Sequence, residues 1–182
     1  MNSDSTLSQP YYWEGKSMIM KKIEIYRGKD GTGYTCTNGD VYDSSLTLFA
    51  ESGEELYTTY DVNTDSTKNY KGGILAPGLY YGIVGYRSNK KRVIKLFSGT
   101  TDISKIKDDS FLTEAMLTLP STIPNPNHGK KKVIAHVQIH AGGISWDFSH
   151  GCITILNDPD HKEYDKLMEL VVDNEILVVH LI

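Results

Sequence analysis

Apolar and polar residues alternate along most of this 182-residue chain. Such two-residue alternation is what a strand with one buried face requires. Residues 22–27 put Ile23 and Ile25 on one side. Residues 46–50 and 55–60 alternate around Ser52-Gly53, which predicts a hairpin, and 79–86 and 92–97 flank Ser88-Asn89-Lys90, which predicts another. Asp30-Gly31-Thr32-Gly33 reads as a turn. The run V-I-A-H-V-Q-I-H over 133–140 predicts a strand that delivers His140 into a glycine-opened loop, and 176–182 predicts a last, central strand.

Helical periodicity is sparse. Apolar residues at 103, 106, 112, 115, 116 and 119 follow it weakly. Pro120, Pro124 and Pro126 then exclude regular structure through His128, making this segment a surface connection or a lid beside the site. Asp158-Pro159 reads as an N-cap followed by the first helical residue, and Tyr164, Leu167, Met168 and Val171 share one helical face that packs on the sheet. The expected fold is therefore mainly β with a few helices. Residues 1–20 form a loosely ordered tail, in which Tyr11-Tyr12-Trp13 could dock, and 21–182 form a single domain.

Composition narrows the function classes. A chain of this length buries well over half of its unfolded surface without staples. The net charge of -4 and the absence of a basic run argue against nucleic acid as a partner. No apolar stretch approaches a membrane span, so no membrane insertion is expected. The start M-N-S-D-S-T-L-S-Q-P lacks the regions of a signal peptide, which predicts synthesis in the cytoplasm. The two cysteines are then expected to be reduced, with Cys36 a small buried filler. Twelve tyrosines without regular spacing read as packing residues.

The chemistry concentrates in residues 139–155, I-H-A-G-G-I-S-W-D-F-S-H-G-C-I-T-I, which hold one of the two cysteines, two of the six histidines and three glycines. A thiol needs a nearby base to become a nucleophile, and His140 and His150 are the candidates for Cys152. His140, at a strand end, is favoured; His150, two positions before Cys152, shapes the turn. Gly151 lets backbone N–H groups converge as an oxyanion hole, and Trp146, between base and nucleophile, could line the cleft. The rival chemistry is metal binding. His136 and His140 lie about 13 Å apart on a strand, too far to share an ion, while His140, His150 and Cys152 remain an alternative ligand set. No metal and no cofactor is expected.

The pattern I-H-x-G followed by S-H-G-C-I resembles the signature of the L,D-transpeptidases, the YkuD-like family of peptidoglycan cysteine enzymes. Gly73-Ile74-Leu75-Ala76-Pro77-Gly78-Leu79-Tyr80 is similar to the Thr-Pro-x-Gly-x-Tyr/Phe stretch that opens a central strand there. The resemblance implies a YkuD-like β-sandwich or mixed sheet with a helix near the C-terminus. It makes Cys152 the nucleophile, His140 its base, the Ala141 carbonyl the group that orients the imidazole, and Gly151 and Cys152 the oxyanion donors. Ser149 and His150 complete the motif on the substrate side with Gly142. Thr154 stands where an Arg or Asn is common in the family, and the interval from His140 to Cys152 is shorter than usual.

The implied activity is acyl transfer on peptidoglycan stem peptides or muropeptides through a Cys thioester, as L,D-transpeptidase or L,D-carboxypeptidase, with general susceptibility to carbapenems. The site of action implied is the periplasm or cell wall, reached by non-classical delivery as a phage protein or antibacterial effector; an effector would bring an immunity or delivery partner. The alternative is a catalytically inactive phage or cell-surface binding module with the same fold.

Overall fold

The computed structural model describes residues 11–13, 16–18, 20–37, 39–65, 72–143 and 151–182. The protein is mainly β, with a mixed sheet and two α-helices among the described residues. Tyr11–Trp13 (β1) and Lys16–Met18 (β2) pair as a hairpin. Lys22–Tyr26 (β3) is followed by a second hairpin of Tyr34–Thr35 (β4) and Val41–Tyr42 (β5). The two expected hairpins form as Ser44–Phe49 (β6) with Glu55–Asn63 (β7), and Gly78–Tyr86 (β8) with Arg92–Ser98 (β9). Asp109–Ala115 (α1), Leu119–Asn125 (β10), Lys131–Ile134 (β11), Gln138–Gly142 (β12), Ile153–Leu156 (β13), Glu163–Met168 (α2) and Ile176–Leu181 (β14) complete the described order.

Eight strands close into a barrel in the order β12-β13-β7-β6-β3-β14-β8-β9. β12 runs parallel to β13 and also pairs with β9, and β14 runs parallel to β3 and also pairs with β8. The sheet therefore has no open edge and is a closed barrel of mixed parallel and antiparallel pairing, which bears out the mixed sheet of the expectation. An eight-stranded barrel is just wide enough for side chains to fill. Here Ile23, Ile25, Leu46, Leu48, Leu96, Ile139, Ile153, Leu177 and Val179 do so, all fully buried.

The barrel ends are sealed differently. Tyr164, Leu167, Met168 and Val171 of the α2 segment join the core where β12 and β13 finish. The Arg92 guanidinium donates to the Met168 and Val171 carbonyls at 2.6 Å each and to Asp173 at 2.7 Å, holding the end of that segment on β9. Leu119 and Ile134 of the β10–β11 hairpin join the same core from where those strands begin. On the outside of β8, β9 and β14, Phe97, Ile103, Ile106, Met116 and Val178 form a second apolar layer under α1. No described helix is long and apolar enough to cross a membrane.

Three sequence expectations change. The helix begins at Glu163 rather than Pro159, because the Asp158 carboxylate accepts from the N–H groups of Asp160 and His161 and pairs with the His161 ring at 2.8 Å, closing a turn first. The proline-rich segment is a strand. Pro120 and Pro124 sit at exposed positions of β10, where the Pro120 carbonyl accepts from Ala76 N at 2.9 Å and a register shift before Asn125 absorbs the missing donors. The run 133–140 is two strands, since His136 between them has φ 54° and gives its N–H to the Met116 carbonyl at 2.9 Å.

Candidate active site

Because Ile139 points into the barrel, strand alternation puts His140 on the outer face of β12. It is 3 % exposed, and its Nδ1 lies 2.8 Å from the Ala141 carbonyl. A carbonyl only accepts, so Nδ1 carries the proton and Nε2 keeps a lone pair. Burial, helped by the neighbouring Arg87 guanidinium, lowers its pKa to about 4. The imidazole is therefore neutral near pH 7 and able to accept a proton at Nε2.

That shift predicts acid sensitivity. The unfolded chain, with an ordinary histidine near pKa 6.5, binds this proton before the folded state does, so the contribution is complete above pH 6.5 and lost as pH falls towards 4. The full swing is about 3 kcal/mol, of which about 2 kcal/mol is gone by pH 5. Denaturant melts at pH 7 and pH 5 should show His140→Gln losing less stability between the two than wild type; equal losses would mean that His140 titrates normally.

Cys152 enters β13 from Gly151. Gly151 has φ 106°, and a Cβ there would come within 2.3 Å of Ile134 Cδ1 and 2.7 Å of the Gly73 carbonyl oxygen, so glycine is needed for both conformation and space. The same contact brings the 73–80 stretch against the cysteine turn. The parallel register aligns His140 with Thr154, so Cys152, just before β13, stands two residues before the partner of His140, about 8 Å from it between Cα atoms. Cys152 is half-exposed and shares a cavity of about 290 Å³ with Asn125, His128, His136 and Gln138. The β10–β11 region thus lies against the cysteine.

Its Sγ donates to the His136 carbonyl at 3.7 Å, and among the described residues no hydrogen bond joins it to His140. His140 lines a different cavity, of about 610 Å³, with Ala141, Tyr164 and Met168. Arg87 borders both cavities, its Nε–H donating to Gln138 Oε1 at 2.6 Å. Sequence reasoning passed over Arg87. The signal was there in Arg87, Lys90, Lys91 and Arg92, four cations within six positions of a net acidic chain, at the tip of a hairpin.

Gly142 and Thr154 are placed in a buried layer. Thr154 is fully buried, and a Cβ at Gly142 would meet the Tyr42 hydroxyl at 2.6 Å and Thr154 Cβ at 2.8 Å, so Gly142 provides clearance for packing. The Tyr42 phenol, pushed far above its ordinary range by burial, lies against the Thr154 hydroxyl. Both residues therefore serve packing in this layer. Cys36 packs with Tyr42 and Leu156 in this layer, apart from Cys152, and no disulfide joins the two. Trp146, Ser149 and His150 lie outside the described residues.

The candidate site is a thiol just before β13 and a neutral, carbonyl-anchored imidazole on the parallel strand β12, in separate cavities that share Arg87 as a border. No protein-family model, no curated protein and no solved structure matches the chain.

Proposed function

We propose that this protein is a cysteine acyltransferase acting on peptidoglycan stem peptides, as an L,D-transpeptidase, an L,D-carboxypeptidase or both. The observation that carries the reading is the His140 Nδ1–Ala141 carbonyl hydrogen bond, which leaves Nε2 as an acceptor on the strand beside the one Cys152 enters. The resemblance of the I-H-x-G and S-H-G-C-I motifs supplies the substrate class.

The steps follow from these groups. Nε2 of His140 takes the Cys152 proton, and the thiolate attacks the carbonyl carbon of the scissile amide. Backbone N–H groups at Gly151 and Cys152 hold the oxyanion. Collapse expels the amine, which takes the proton from His140 and leaves a thioester. An acceptor amine or water then gives its proton to His140, attacks the thioester and releases the thiolate. Cross-linking follows in the first case and trimming in the second. Sγ is bonded to the His136 carbonyl, so this reading requires the thiol to leave that contact and turn to Nε2 as the substrate engages.

The same Sγ–His136 contact favours a second reading, a binding module that keeps the fold without catalysis. Incubation with muropeptides followed by mass spectrometry separates the two. Loss of a terminal residue or joined stems is expected of the enzyme. No change with any stem length under reducing conditions, together with Cys152 alkylation no faster than that of buried Cys36, would leave the binding module.

A further inference from the structure

The groove beside His140 is electrically divided. One wall, at the β8–β9 hairpin, carries Arg87, Lys91 and Arg92; the other, on and just beyond α2, carries Asp165 and Glu169. Val93, Ala141, Tyr164 and Met168 give it an apolar floor. Arg92 is occupied by Asp173 and two carbonyls. Arg87 is different. Among the described residues only its Nε–H is bonded, to Gln138, and no carboxylate pairs with it, which leaves the terminal N–H fork for a ligand. Across the groove and among the described residues, the Asp165 side chain accepts only a 3.3 Å bond from Asn157, and Glu169 has no ion pair. Arg87 on one wall and Asp165 and Glu169 on the other thus face one space of about 610 Å³, and among the described residues no ion pair joins them. His140, 97 % removed from solvent, lines the same space, and its Nε2 has no hydrogen-bond partner among the described residues.

We propose that this groove binds a dipolar, amino-acid-like group, with its carboxylate on the Arg87 fork and its ammonium towards Asp165 and Glu169. A guanidinium held at Nε by a neutral amide presents two parallel donors, which match a carboxylate better than a lysine does. An anion alone would meet repulsion from α2, and a cation alone would meet Arg87. Only a group carrying both charges gains at both walls. As the location of a substrate end beside the base, the inference rests on the acyl-transfer reading; as a binding site, it stands on the charges alone.

The test is therefore binding without turnover. Isothermal titration of the wild-type protein with ε-aminocaproate, caproate and hexylamine compares the dipolar probe with its anionic and cationic halves. The dipolar probe is expected to bind about tenfold more tightly than either half. Arg87→Gln should erase its advantage over hexylamine, and the pair Asp165→Asn with Glu169→Gln should erase its advantage over caproate. Arg87→Lys keeps the charge without the fork and should retain part of the preference, which guards against a folding artefact in Arg87→Gln. Equal affinity for all three probes, no binding of any, or an unchanged profile in Arg87→Gln would overturn the proposal. Because no probe is an acyl donor, such a failure is separate from failure to process muropeptides.

Discussion

Cys152→Ala is expected to abolish both stem-peptide processing and covalent capture of a carbapenem, because every bond-making step of the proposed reaction passes through that sulfur. His140→Ala should behave differently. It leaves the thiol in place but removes the acceptor at Nε2, so adduct formation should slow by about a hundredfold or more near neutral pH and partly recover as alkali ionises the cysteine directly. Mass spectrometry of the intact protein across pH reads both effects. The neutral imidazole sharpens the expectation: wild-type reactivity should hold down to low pH, since His140 takes up a proton of its own only near pH 4. His150→Ala should alter the turn more than the pH profile. If the alkaline rescue appears in the His150 variant and not in the His140 variant, the base has been misassigned.

Leu167→Asp should unfold the protein or lower its stability by more than about 4 kcal/mol, the largest stability effect expected of a single substitution here. Leu167 is fully buried among Tyr164, Met168 and Val171 at one end of the barrel. An aspartate there would lose the apolar contact and bury a carboxylate with no cation offered to it; the nearby Arg92 is already bonded to Asp173, Met168 and Val171. The exposed Lys166 on the same helix is the control, and Lys166→Ala should stay within about 0.5 kcal/mol of wild type. A melting temperature for Leu167→Asp equal to that of the control would mean that α2 does not seal the barrel.

The consequences reach the groove, since α2 is one of its walls. Asp165 and Glu169 stand on the side of this segment away from Leu167, so the same apolar stripe that closes the barrel sets the carboxylates opposite Arg87. Stability and recognition are coupled through one short helix. Variants of the charged wall should therefore be checked for helix content before their binding is interpreted.

The sequence by itself determined the strands with strict alternation and the hairpins between them, because a two-residue period and a glycine-bearing turn are local properties. It also determined the buried face of α2 and the need for glycine at position 151. What it could not decide was where local signals compete. Asp158 and Pro159 look like a helix start, yet the His161 ring and two backbone N–H groups satisfy the carboxylate in a turn instead. Prolines at 120 and 124 argue against a strand until Leu75 and its neighbours supply a partner that asks Pro120 only for its carbonyl. The β-branched run before His140 conceals a break, because the reason for it is a hydrogen bond from His136 to the distant Met116 carbonyl.

The site divides in the same way. Cys152, His140 and the Ala141 carbonyl were legible as neighbours in sequence, but barrel closure decided that Thr154 and Gly142 turn into a buried layer under Tyr42. Closure also decided that β9 lies beside β12, which carries Arg87 of the preceding hairpin to the border of both cavities. No local pattern encodes that approach. It arises because an eight-stranded sheet leaves no edge unpaired, so residues more than fifty positions apart, such as Arg87 and His140, are brought side by side by the hydrogen-bond ladders between them.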